Sequence, residues 1–188
     1  MPPTATAAAP VAPRTFPAPS SRARRAASRR EIGLAIPVSR SARPSRPAPT
    51  ALIADDSGDA RYCLTRMLEQ LGLRVETAAD GKEAATKACA AAAAGRPFDL
   101  ILMDLTMPVL DGLDATRQIR AAAAAADAPA GPIIAITGDT FPPTREQCRA
   151  AGCTGYYHGR LDFAAVTSLV AQHVPAAAAA ARRLAVDW

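Results

Sequence analysis

The sequence is poor in the residues from which many catalytic and metal sites are built. Aromatic residues make up 4% of the chain, and there are only two histidines among 188 residues. No stretch approaches the roughly 18 consecutive apolar residues of a membrane-spanning helix, and no Cys-x-x-Cys pair occurs. These absences argue against a membrane anchor and against a zinc centre built from histidine and cysteine.

The four cysteines lie at unrelated spacings, at Cys63, Cys89, Cys148 and Cys153. Without metal-ligand spacing, they are interpreted as four small buried side chains in a reducing compartment. We therefore expect an intracellular protein of the cytoplasm, the nucleus or both.

Basic charge is concentrated near the N-terminus. The first 50 residues contain nine arginines, ten prolines and a single acidic residue, Glu31, whereas the whole chain has a formal charge of +5. This composition predicts a disordered basic leader over residues 1–50. The leader is an organelle transit peptide, which would imply plastid import, a low-complexity tail, or a basic tail that contacts nucleic acid non-specifically. Because the remaining residues are net acidic, specific DNA binding is not expected.

From residue 51 the chain alternates between short apolar runs and segments in which apolar residues recur at helical spacing. Five such pairs occupy residues 51–174, and Ser57, Asp80 and Asp162 stand where helix N-caps are expected. Near-continuous apolar strands that alternate with helices are typical of a parallel sheet covered on both faces. The pattern predicts an α/β fold with a five-stranded, doubly wound (flavodoxin-like) parallel sheet and five helices.

Polar side chains stand where three of these strands end. Asp55 and Asp56 follow the first strand. Asp104 ends the third strand and Thr137 the fourth. Because the carboxyl ends of parallel strands meet at one edge of a sheet, we expect these side chains to lie close together. Three carboxylates in one crevice repel one another, and a hard divalent cation relieves that repulsion. The sequence therefore predicts a Mg²⁺ site at this edge.

Residues 51–174 resemble the receiver domain of response regulators in two-component and phosphorelay systems. The resemblance rests on the acidic pair after the first strand and on the motifs "ILMDLTMPVLDG", "IIAITGD" and "AGCTGYY". It is closest to receivers of hybrid histidine kinases and of plant phosphorelay proteins, and a plant origin would imply cytokinin signalling. The resemblance implies that Asp104 accepts the phosphoryl group. It also implies that the ligands of Mg²⁺ are Asp55, Asp56, Asp104 and the backbone carbonyl of Thr106.

The resemblance further implies that Thr137 contacts the phosphoryl group and that Tyr156 is the aromatic residue of the conformational switch. One position departs from the family pattern. Receivers carry a lysine after the fifth strand, where an ungapped alignment puts Gly159 and then Arg160, and no lysine follows Lys87. Three interpretations remain open. The arginine replaces the lysine, phosphorylation is weakly coupled to conformational change, or the domain is a pseudo-receiver that only binds partners.

We expect a signalling module, not an enzyme, that takes phosphate from a histidine phosphotransfer protein or a histidine kinase. The sequence identifies neither the downstream target nor the oligomeric state. Residues 175–188 form a short tail that is too small for a DNA-binding domain, so output is expected through protein contacts around Tyr156. The alternatives are a phosphorylation-independent interaction module on the same fold and an aspartyl-phosphate hydrolase.

Overall fold

The computed structural model describes residues 48–138 and 143–177, together with the backbone of residues 14–15. Within these residues one sheet contains five parallel strands, in the order β3-β2-β4-β5-β6, and a two-residue antiparallel strand, β1, at the β6 edge. The strands are β1 (Arg14–Thr15), β2 (Thr50–Ala54), β3 (Arg74–Ala78), β4 (Leu100–Asp104), β5 (Ile133–Thr137) and β6 (Gly155–His158).

Five helices connect or follow the parallel strands, and each has a polar N-cap. Ser57, Asp80 and Asp162 accept backbone N–H groups of the first helical turn, as the sequence predicted. Asp111 and Thr144 cap the other two helices in the same way. The helices are α1 (Gly58–Gln70), α2 (Gly81–Ala93), α3 (Gly112–Ala125), α4 (Arg145–Ala151) and α5 (Phe163–His173).

Each face of the sheet has its own apolar core. Leucine and valine side chains of α1 and α5, such as Leu68, Leu169 and Val170, cover one face. Small side chains of α2 and α3, among them Ala84, Ala88 and Ala115, cover the other face. Alanine buries little apolar area, so α2 and α3 must lie close to the sheet to exclude water.

The strand order confirms the predicted doubly wound fold. Counted along the five parallel strands alone, the order is 2-1-3-4-5, which is the flavodoxin-like arrangement. The sequence did not predict β1, whose Arg14 pairs with Tyr156. The rest of the predicted leader, apart from residues 48–50, lies outside the described residues, as do residues 178–188 of the predicted tail.

The described part of the chain contains no helix that is both long and apolar enough to cross a membrane.

Candidate functional site

Three carboxylates meet where β2 and β4 end. These strands are adjacent and parallel, and Ala54 pairs with Met103. The residues that follow the pair, Asp55 and Asp104, therefore leave the sheet side by side. Asp56 joins them, and one carboxylate oxygen from each of the three lies within 4.8 Å of the others. We call these three residues the acid cluster. The predicted convergence of the acids at one edge is confirmed.

Backbone and side-chain donors hold Asp55 and Asp104 of the acid cluster in place. The Ser57 N–H donates to Asp55 Oδ1 over 2.8 Å, so the residue that caps α1 also orients this carboxylate. Arg61 Nη1 donates to the Asp55 carbonyl oxygen over 2.6 Å. The Thr106 N–H donates to Asp104 Oδ1 over 3.3 Å. The side chains are thus held in place by groups close to them in the sequence.

The acid cluster is electrostatically strained without a counterion. Burial raises the pKa of Asp104 to about 6, and the charges of Asp55 and Asp56 act in the same direction, against the Thr106 N–H hydrogen bond. Burial, aided by the charge of Asp56, also raises the pKa of Asp55. Each carboxylate ionises more easily once positive charge is near. Carboxylate oxygens are the donors that hard divalent cations prefer, so the acid cluster fits Mg²⁺.

The loop after Asp104 requires a glycine at one position. A Cβ atom on Gly112 would lie 2.0 Å from the carbonyl oxygen of Asp104. The Gly112 N–H also donates to the Leu105 carbonyl oxygen over 3.1 Å, which closes the loop. Val109 lies in the same loop with a φ of 68°, a conformation that costs energy for a β-branched residue. The start of α3 is therefore packed directly against the backbone of Asp104.

A cavity of about 520 Å³ opens over the acid cluster. Its lining includes one further carboxylate, from Asp59, and one cationic side chain, from Arg160. The cavity is therefore strongly acidic and suited to a cation. The residues that line it are Asp55, Asp56, Ser57, Asp59, Ala60, Cys63, Leu64, Asp104, Ile136, Gly138, Gly159, Arg160 and Leu161.

Thr137 and Tyr156 lie on the strands predicted for them. Asp104 pairs with Ile136 in the sheet, so Thr137 is one residue beyond the level of the carboxylate. The Thr137 side chain is buried and does not belong to the cavity lining. Tyr156 pairs with Ala135 and packs, partly buried, beside Cys148. The roles that the resemblance gives these residues remain predictions.

The end of β6 is built differently from the acid cluster. Gly159 lies beside the cavity and has a φ of 112°, in the region that strongly favours glycine. Its N–H donates to the Thr137 carbonyl oxygen over 2.8 Å, which continues the β6 pairing by one residue. A lysine side chain at this position would require the same unfavourable φ. Arg160 is exposed and lines the cavity, whereas His158, also exposed, does not.

Sequence reasoning missed three residues near the acid cluster. Arg61, Asp59 and Cys63 all lie on α1, and the cavity lining includes the latter two. Their position follows from the helix that Ser57 starts directly after the acidic pair, because the first turns of that helix must stay near the pair. Two cysteine predictions were wrong, since Cys63 is exposed and Cys89 is only partly buried.

The fold is flavodoxin-like, and the acid cluster lies at the switch point of its sheet. The family model for the response regulator receiver domain matches residues 51–171, and the chain belongs to that family.

Similar curated proteins include a histidine kinase and a two-component response regulator. Probable histidine kinase 4 of Oryza sativa subsp. japonica is 34% identical over 122 residues, which cover 56% of this chain and 12% of the kinase. Two-component response regulator 24 of Arabidopsis thaliana is 38% identical over 71 residues, 38% of this chain and 48% of that protein. The chain thus spans about half or less of the length of these relatives.

Solved receiver domains share the fold. The receiver domain of a Pseudomonas aeruginosa PAO1 sensor histidine kinase, with magnesium in its active-site cleft, is 32% identical at a TM-score of 0.57. That match covers 68% of this chain and 98% of the other. The Mg²⁺-bound receiver domain of the histidine kinase CKI1 from Arabidopsis thaliana is 30% identical at a TM-score of 0.53, covering 60% of this chain and 83% of that one.

Proposed function

We propose that Asp104 accepts a phosphoryl group from phosphohistidine on a histidine phosphotransfer protein or a histidine kinase. The observation that supports this most is the position of Asp104, whose carboxylate meets those of Asp55 and Asp56 beside an open cavity. A carboxylate oxygen of Asp104 forms the new bond to phosphorus as the P–N bond breaks. The imidazole nitrogen leaves with the electron pair and then takes up a proton.

Phosphoryl transfer depends mainly on position and on neutralisation of charge. The carboxylates of the acid cluster, with the Thr106 carbonyl predicted beside them, would hold Mg²⁺. When bound, Mg²⁺ supplies the positive charge that lets an anionic carboxylate approach an anionic phosphoryl group. The Ser57 and Thr106 N–H groups keep the carboxylates oriented. The chain accepts one phosphoryl group in this proposal and does not act as an enzyme with turnover.

The test is labelling of the full chain by a small phosphodonor such as acetyl phosphate in the presence of Mg²⁺. Intact-mass measurement should show one added phosphoryl group that hydroxylamine removes, as expected of an acyl phosphate. Asp104→Asn should abolish this label, because the amide is not a nucleophile at phosphorus. Chelation of Mg²⁺ should have the same effect on the unaltered chain.

Asp111→Asn is a matched control. Asp111 lies in the same loop as Asp104, but it caps α3 and is not part of the acid cluster. The control variant should label normally. Label that persists in Asp104→Asn and disappears in Asp111→Asn would contradict the assignment of the acceptor. Turnover of a phosphomonoester by the chain would instead favour an aspartyl-phosphate hydrolase.

A phosphorylation-independent interaction module is the second candidate function. It is favoured by the β6 end of the site, where Gly159 and exposed Arg160 stand in place of the family lysine. Failure of acetyl phosphate and of a phosphorylated histidine phosphotransfer protein to label the folded chain would support this candidate. In either case we propose that output partners contact the surface of α4, β6 and α5 around Tyr156.

A further inference from the structure

Two buried cysteines lie at the C-terminal end of α4. Cys148 lies three residues before the last residue of the helix, and Cys153 lies two residues after it. Both are almost fully buried, with exposed fractions of 0% and 4%. The described residues contain two other cysteines, Cys63 on α1 and Cys89 on α2, and neither belongs to the small apolar cluster that holds this pair. We call Cys148 and Cys153 the thiol pair.

The helix terminus itself brings the thiol pair together. Gly152 adopts a left-handed conformation with a φ of 99°. The Cys153 N–H donates to the Cys148 carbonyl oxygen over 3.0 Å, and the Gly152 N–H donates to the Arg149 carbonyl oxygen over 3.0 Å. These two bonds define a Schellman motif, in which the side chains at the positions of Cys148 and Cys153 face each other. The two side chains accordingly belong to the same small buried cluster.

The two sulfur atoms differ in their surroundings. The neighbouring Cys148 thiol lowers the pKa of Cys153, and the charge of Arg120 acts in the same direction. The pKa of Cys148 is raised, first by the neighbouring Cys153 and then by burial. A thiolate is the reactive form of cysteine, so Cys153 is the better nucleophile of the thiol pair and Cys148 is placed to attack it afterwards.

We propose that the thiol pair is a reversible redox site that closes to a Cys148–Cys153 disulfide in the presence of a peroxide. The Cys153 thiolate attacks one peroxide oxygen, the O–O bond breaks, and the departing hydroxide takes up a proton to give water. The Cys148 sulfur then attacks the Cys153 sulfenic acid and releases a second water. Two thiols are oxidised and one peroxide is reduced. A dithiol reductant reverses the reaction by thiol–disulfide exchange.

A disulfide here would alter contacts on both sides of the thiol pair. In the dithiol form, Cys153 Sγ donates to Thr116 Oγ1 over 3.9 Å, and Thr116 Oγ1 donates to the Gly112 carbonyl oxygen over 2.7 Å. Oxidation removes the Cys153 proton and with it the first of these bonds. The ring of the disulfide also fixes the end of α4 next to Tyr156, which packs in the same cluster.

The rate of oxidation should reflect burial. Peroxide reaches the thiol pair only when α4, a helix of seven residues, opens locally. Exposed Cys63 should therefore react without this delay, but it has no neighbouring thiol with which to close a disulfide. Disulfide formation is detected by mass and does not require that Asp104 be phosphorylated, so its outcome and that of the labelling test are separate.

The experiment uses the full chain with Cys63→Ser and Cys89→Ser, treated with hydrogen peroxide, blocked by alkylation and digested with trypsin. Trypsin cleaves after Arg145, Arg149 and Arg160, so the two cysteines fall in separate peptides, residues 146–149 and 150–160. The expected product is a species with the summed mass of both peptides less two hydrogens. Dithiothreitol should convert this species back to two alkylatable peptides. Before digestion, the oxidised chain should unfold at a higher midpoint temperature than the reduced chain.

Adding Cys148→Ser to the same background is the matched control. Without a resolving thiol, Cys153 should proceed to sulfinic acid, and no linked peptide should form. If a serine variant fails to fold, the unaltered chain gives the same linked peptide in the same digest. Either of two results would overturn the proposal. One is that peptides 146–149 and 150–160 stay unlinked at peroxide levels that oxidise Cys63 in the unaltered chain, and the other is a linked species that arises only after unfolding in urea.

Discussion

The acid cluster and the C-terminal end of β6 lie beside the same cavity, yet the fold holds their side chains to different degrees. In the acid cluster, the carboxylates of Asp55 and Asp104 each accept a backbone N–H, and the pairing of β2 with β4 sets the spacing between the two residues. At the β6 end, Gly159 contributes no side chain and Arg160 is exposed. The difference indicates that the parts that would bind a cation and provide the nucleophile are fixed by the fold. The other part, which would hold the transferred phosphoryl group, depends on the long and exposed side chain of Arg160.

The largest effect on stability is expected from a substitution that displaces the backbone beside the acid cluster. Gly112→Ala would place a Cβ atom 2.0 Å from the carbonyl oxygen of Asp104. Neither backbone can yield without moving the loop, so we expect a loss of about 3 kcal/mol or more in the free energy of unfolding. Urea unfolding followed by circular dichroism measures it. Gly138→Ala is the control, because nothing lies within 4 Å of its Cβ, and its effect should stay below about 0.5 kcal/mol. Equal losses in the two variants would contradict the packing described here.

The next effect concerns charge in the acid cluster. The pKa of Asp104 in the folded chain is about 6, above its ordinary value of 3.8, so the folded state binds the proton more tightly than the unfolded state does. Stability should therefore fall as pH rises from about 4 to above 6 in the absence of Mg²⁺. Asp104→Asn should stabilise the Mg²⁺-free chain at pH 7.5 by about 1 kcal/mol, a value discounted for partial solvent exposure.

Below pH 4 this gain should vanish, and added Mg²⁺ should stabilise the unaltered chain more than the variant. Asp99→Asn is a suitable control, because the Asp99 carboxylate accepts the Thr50 N–H over 2.8 Å and its loss should not stabilise the chain at any pH. If Asp104→Asn gave no gain at pH 7.5, the strain assigned to the acid cluster would be wrong.

A smaller loss is expected at the β6 end. Gly159 has a φ of 112°, so Gly159→Ala and Gly159→Lys should both cost about 1 kcal/mol of unfolding free energy, although the space around the position is open. Thermal or urea unfolding checks this. Restoring the family lysine would then strengthen phosphorylation-dependent binding only at the expense of stability. Two variants as stable as the parent chain would show that the backbone at this position adapts freely.

The smallest effect is expected for the exposed cation. Arg160→Ala should leave stability unchanged and slow acetyl phosphate labelling by at most about fivefold, since an exposed ion pair is worth less than about 1 kcal/mol. Arg149→Ala, an exposed arginine on α4, should label at the parent rate. A loss of labelling as complete as that of Asp104→Asn would mean that Arg160 replaces the missing lysine fully.

The sequence predicted local features well and approaches between distant segments poorly. N-caps such as Ser57 and Asp162 are recognisable because each depends on residues within one helical turn. Glu83 stands three residues after Asp80, at the spacing of a capping box, yet its carboxylate accepts the Ala79 N–H instead of the Asp80 N–H.

Two features that depend on the exact path of the backbone were not predicted. The need for glycine at Gly112 arises from the carbonyl oxygen of Asp104, and the contact of the thiol pair arises from a turn with Gly152 in the left-handed region. The positions of the three acids were predicted correctly, because the carboxyl ends of the parallel strands share one edge of the sheet for any conformation of the loops. Thr137 shows the limit of that reasoning, since it lies at the predicted edge with its side chain buried.

The register of β2 against β4 has a kinetic consequence. Ala51 pairs with Leu100, so the central contact of the sheet joins segments about 50 residues apart, with α1, β3 and α2 between them. Contacts of such high sequence separation form slowly, because the entropy of closing the loop is lost before the pairing is gained. The two halves of the acid cluster therefore meet only when this closure is complete. Mg²⁺ binding during refolding would consequently report the moment at which the sheet closes, and it would slow unfolding more than it speeds folding.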